Sequence, residues 1–135
     1  MPSIAPLVIT DRATPTPVSH TFNPNGLIDG VAKLAERPTD GTTLGANVIG
    51  LSNRLTGTKM KGRLTFTLPI VQTETVNGVS CPTIVRTAYV DLSVTFDKGS
   101  TQQERDNAIG LLRSALDPAK AVVFDTFVKG EEVWG

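Results

Sequence analysis

A single cysteine, a single histidine and few aromatic residues narrow the chemistry of this 135-residue chain before any motif is considered. With Cys81 alone, no disulfide framework can form within one chain, and no metal cluster can be built around the thiol. His20 has no nucleophile or acid motif around it, and scattered serines do not make a Ser-His-Asp set. No glycine-rich phosphate loop is present, so no cofactor is expected and an enzyme is disfavoured. Aromatics are 5% of the residues, so the interior must be aliphatic. Surplus charge is absent too. Thirteen Lys plus Arg balance thirteen Asp plus Glu, which argues against holding nucleic acid by bulk positive charge but leaves room for a local basic strip. No apolar run approaches the ~18 residues of a membrane span, and the start lacks the order of a signal peptide, so a cytoplasmic origin and no membrane partner are expected.

What is present is mostly β-pattern. The length suits one domain with a small core, a size at which pairing with a second copy often supplies stability. Leu7-Val8-Ile9 and Val18–Phe22 are predicted strands around the turn-rich Asp11–Pro17. Leu27–Glu36 is read as one strand, although Val31, Leu34 and Ala35 also suit a helix. Leu44–Leu55 is a strand of mixed pattern. In Lys59–Thr73, Leu64, Phe66, Leu68 and Ile70 alternate with Arg63, Thr65 and Thr67. In Thr83–Phe96, Ile84, Ala88, Val90, Leu92, Val94 and Phe96 take one face, against Thr83, Thr87, Tyr89, Asp91, Ser93 and Thr95. Such alternation predicts long antiparallel strands with one face covered and one open. Asn77-Gly78 is a turn signal within a longer loop.

The period then changes. Ser100 is the expected N-cap of a helix, with Gln103 completing a capping box. Ala108, Ile109, Leu111, Leu112, Ala115 and Leu116 form its apolar stripe, with Gly110 opposite. Asp117-Pro118 is expected to open a second helix carrying Val123, Phe124, Phe127 and Val128 and ending at Gly130. Strands first and helices last define an α+β chain. Its long apolar sheet face and open edges suit either a dimer or a monomer whose helices fold back over the sheet.

Three stretches, in order, resemble the coat proteins of single-stranded RNA bacteriophages. Thr73-Glu74-Thr75-Val76-Asn77-Gly78-Val79-Ser80-Cys81-Pro82 is similar to the long loop before their last sheet strand. Arg86-Thr87-Ala88-Tyr89-Val90-Asp91-Leu92-Ser93-Val94 resembles their RNA-facing strand, and Ser100-Thr101-Gln102-Gln103-Glu104-Arg105 the start of their first helix. The resemblance implies an N-terminal hairpin, a five-stranded antiparallel sheet and two C-terminal helices. It also implies an interlocked homodimer with a ten-stranded sheet, an icosahedral shell around the RNA genome, and binding of an RNA hairpin that represses replicase translation. Leu112, Leu116 and Phe124 would pack on the partner's sheet. By the same resemblance Tyr89 would stack on a base. Asp91, on the same face, would accept from a base amino group. Lys61, Arg63, Thr65 and Thr67 would meet phosphate and sugar, with Arg54 and Lys59 widening the strip. Some relatives join dimers through a pair of loop cysteines; with one, this chain cannot, and Cys81 is expected to be idle. Pro82 would help the loop vary in shape. The other reading of these residues is a β-sheet RNA-binding module that does not assemble.

Overall fold

The computed structural model describes residues 3–36 and 45–134, and for residues 73, 74, 76 and 80–82 the backbone alone. The six strands are β1 (Leu7–Thr10), β2 (Ser19–Ile28), β3 (Val31–Glu36), β4 (Asn47–Thr56), β5 (Lys59–Val76) and β6 (Val79–Asp97). They form one antiparallel meander in chain order, followed by helices α1 (Gln102–Ala115) and α2 (Ala121–Phe127). The chain divides into two compact units, Met1–Thr95 and Phe96–Gly135.

In the first unit the expected hairpin is present, but it is not separate from the sheet. The N-terminal half of β2 pairs with β1, Leu7 facing Phe22 and Thr10 facing Ser19. Its C-terminal half pairs with β3, with a register shift between Pro24 and Gly26, so six strands run on where five and an outlying hairpin were expected. Leu27–Glu36 is not one strand either. Asp29 and Gly30 have φ of 52° and 77° and turn the chain between β2 and β3. Positive φ at both central residues is what a type I′ hairpin demands, and Asp-Gly supplies it cheaply.

The same device operates at Asn77-Gly78, with φ of 51° and 77°. Because β5 reaches Val76 and β6 begins at Val79, the expected long loop is instead a two-residue hairpin between the two longest strands. Expectations for the Cys81 thiol, the Pro82 ring and Leu44 fall outside the described residues.

Alternation sets the core. Leu34 faces Ile49 and Ile49 faces Phe66 across β3, β4 and β5. Phe22, Leu34 and Ile49 form the buried cluster, with Ile9, Leu64 and Phe66 packed against it. Ile9 belongs to β1, so the hairpin covers this part of the sheet.

In the second unit, α1 begins one residue later than expected. Thr101, not Ser100, is the N-cap: its hydroxyl accepts from the Glu104 amide, and the Glu104 carboxylate accepts from the Thr101 amide. Ser100 instead donates to the Asp97 carbonyl and accepts from Arg105. The second helix also starts late. Asp117 accepts from the Ala119 amide in a local turn, and Lys120 occupies the N-cap of α2 without a side-chain bond. Leu112 and Phe124 are half-buried, whereas Leu111 is 74% and Leu116 42% exposed. Thr101→Ala removes one arm of the capping box and is expected to destabilise by ~1 kcal/mol in denaturant unfolding.

Candidate nucleic-acid interface

The face opposite the core is assembled by register. Residues directly opposite in an antiparallel ladder share a face. Arg54 is opposite Lys61, Ser52 opposite Arg63, Gly50 opposite Thr65 and Val48 opposite Thr67, while Lys33 is opposite Gly50. Arg54, Lys61, Arg63, Thr65 and Thr67 therefore lie on one surface, and the side of Arg54 is settled by its partner Lys61. Lys59 follows the same alternation on β5. Lys33 and Ser52 join the row although no sequence pattern marks them; the pairing of β3 and β4 brings them in.

Gly50 forms the floor between Lys33 and Thr65. A Cβ built there meets the Thr65 hydroxyl at 2.6 Å and the Lys33 ammonium at 3.4 Å. The Thr65 hydroxyl leans toward the Gly50 carbonyl at 3.5 Å. At this position glycine keeps the surface flat where two neighbouring side chains converge.

Across β5 and β6, Arg63 donates from Nε to one oxygen of Asp91 at 3.0 Å and from Nη2 to the other at 2.6 Å. This two-pronged geometry aligns the guanidinium and carboxylate planes. Both side chains are more than half exposed, so the pair orients its members more than it stabilises the fold. The hydrogen bond from Arg63 holds the Asp91 carboxyl below its ordinary range, with charge attraction adding to it, and raises the guanidinium in turn. Asp91 is thus an ionised acceptor at neutral pH, and two of the expected contact residues satisfy each other. Tyr89, two residues before Asp91 on the strand, is 77% exposed. Arg54 reaches the other way and donates to the Asp29 carbonyl at 3.3 Å, tying the open face to the β2–β3 turn.

This surface can offer an exposed ring, the hydroxyls of Ser52, Thr65 and Thr67, cations and a carboxylate already charge-balanced by arginine. Such a set suits hydrogen bonding and stacking with single-stranded nucleic acid more than bulk attraction to phosphate. Among the described residues no group of His, Cys, Asp and Glu fits a metal ion.

A meandering antiparallel sheet with a polar open face and two following helices defines an α+β architecture found in phage coat subunits. The virus-like particle of bacteriophage ESE058 has a chain that superposes with a TM-score of 0.83 at 18% identity, covering 98% of this chain and 100% of that one. The chain of the virus-like particle of Beihai levi-like virus 21 gives 0.77 at 25% identity, covering 99% and 100%. The bacteriophage GA capsid protein gives 0.77 at 18% identity, covering 98% of each chain. In sequence, the chain is 36% identical over 129 residues to the capsid protein of Pseudomonas phage PRR1, covering 95% of this chain and 96% of that protein. The family model described as Levivirus coat protein matches residues 2–134. The chain belongs to the Levivirus coat protein family, a family of structural proteins.

The Gly50 floor gives a test. Gly50→Ala is expected to cost ~1–3 kcal/mol in urea unfolding, because the new methyl group and the Thr65 hydroxyl cannot share the space. Thr65→Ala in the same background should recover most of the loss. Two simply additive losses would contradict the contact.

Proposed function

We propose that this chain is a structural capsid subunit that pairs with itself, assembles into a closed icosahedral shell around an RNA genome, and binds an RNA hairpin on its open sheet face. Family membership and the relative named as the capsid protein of a Pseudomonas phage support the shell-forming role. Structural neighbours named as virus-like particles support it further. On this proposal the whole chain acts as one coat-protein domain, made in the host cytoplasm and residing in the virion. The dimer would join two sheets into one of ten strands, with the helices of each chain on the other.

The RNA role rests on one observation: the polar row of Lys61, Arg63, Thr65 and Thr67 shares its face with the Asp91 that Arg63 grips, and the exposed Tyr89, two residues before Asp91 on the strand, falls on that same face. Tyr89 supplies a stacking surface, Asp91 an acceptor for a base amino group, and Thr65, Thr67, Lys61 and Arg54 contacts to sugar and phosphate. Occupation of a hairpin at the replicase start would repress translation and favour packaging of that RNA.

Titration against the phage's own hairpin and a scrambled one tests this role. Tyr89→Ala should weaken hairpin binding by ~1–3 kcal/mol and leave assembly intact. Lys61→Ala should weaken binding to both RNAs alike and flatten the salt dependence, as loss of a phosphate contact does. Equal affinity for both RNAs, unaffected by Tyr89→Ala, would remove hairpin recognition and leave the structural role.

A further inference from the structure

The lone histidine, which carries no recognisable motif in the sequence, sits at the centre of a polar network unrelated to the open face. His20 Nε2 lies 2.7 Å from Asp11 Oδ2, and Nδ1 lies 2.9 Å from both oxygens of Glu36. Asp11 stands beyond the end of β1 in the hairpin turn, His20 lies on β2 opposite Ile9, and Glu36 ends β3. Both carboxylates are anchored. Asp11 Oδ1 accepts from the amides of Ala13 at 3.0 Å and Val18 at 2.8 Å, and Glu36 accepts from the Asn47 side chain on β4 at 3.0 Å.

We propose that His20 is a proton-held latch: as imidazolium it fastens the N-terminal hairpin to the sheet, and on losing its proton it lets the hairpin loosen. A neutral imidazole has one N–H, so one of its nitrogens would turn a lone pair toward an anchored carboxylate; the imidazolium alone donates to both. The charged groups bonded to the ring are Asp11 from the hairpin turn and Glu36 from β3. Asn47 from β4 is neutral, and among the described residues no cation bonds to the ring. The hydrogen bonds from Asp11 and Glu36 raise the imidazole above its ordinary value of 6.5, and the bond with His20 brings Asp11 down to about 2.

The pH dependence follows from these directions. Histidine's contribution is complete below its ordinary value, where the ring is protonated whether the latch is open or closed. It is lost as pH rises through the raised value of the closed latch. On the acid side, Asp11's contribution is present above 3.8 and lost as pH falls toward 2. The hairpin is therefore held most firmly in mildly acidic solution and released toward alkaline pH.

Hydrogen exchange of the assembled wild-type protein, with labelling times corrected for the intrinsic pH dependence of exchange, reads the latch directly. Between about pH 6 and about pH 9, exchange in peptides spanning residues 7–22 should rise, by at most about tenfold per pH unit for one proton. Peptides from the middle of β4 and β5 should not follow. His20→Gln should exchange fast in the hairpin at both pH values, and Glu36→Gln, which removes one carboxylate, should move the transition to lower pH. Equal wild-type hairpin exchange at both pH values would overturn the latch. So would a pH dependence that survives His20→Gln or stays unmoved in Glu36→Gln.

Discussion

The subunit depends on how little of its sheet is shielded from water. Among the described residues, Phe22, Leu34 and Ile49 alone are buried hydrophobics, and they occupy the end of the sheet that β1 covers. Burying an aliphatic or aromatic side chain stabilises by roughly 1.5–3 kcal/mol, whereas ordering each backbone residue costs about 1–2 kcal/mol. Away from that cluster the strands and helices carry apolar residues still in contact with solvent: Leu51 is 51% exposed, Leu55 66% and Val90 48%. A chain of this kind reaches a stable state most readily when a second copy covers what it leaves open. The proposed dimer is a consequence of that shortage.

The two faces of the sheet have separate tasks because β-strands alternate. On β5, residues of one parity hold the core while those of the other carry Lys61, Arg63, Thr65 and Thr67. Mutations on the open face can therefore change that surface, and with it the proposed RNA contacts, with little effect on the cluster behind them, except at Gly50, where the surface is crowded. Arg63 and Asp91 illustrate a second economy. Their mutual bond cancels charge locally, which suits the proposed recognition of an RNA by shape and hydrogen bonds instead of accumulated positive charge.

Much of this was legible in the sequence. Alternation located β5 and β6 and assigned the face of Tyr89, Asp91 and the Lys61–Thr67 row, and the change of period located the helices. The errors have physical causes. Val31, Leu34 and Ala35 mimic helical spacing and so mask Asp29-Gly30, a strong hairpin signal. At α1, Ser100 and Thr101 are both competent caps, and Glu104 selects Thr101 because it lies three residues on from it. Nothing in the sequence could reveal the Asp11–His20–Glu36–Asn47 network or bring Lys33 beside Thr65. Those neighbours are far apart in the chain and meet only once β1 to β5 take their registers.

The central claim is that one chain does not complete its own fold. Native mass spectrometry of gently disassembled protein, together with denaturant unfolding over a wide range of protein concentration, tests it directly. The account predicts that the smallest folded species is a dimer and that the unfolding midpoint rises with concentration, as expected when folding and pairing are one equilibrium. A folded monomer whose midpoint is independent of concentration would contradict it.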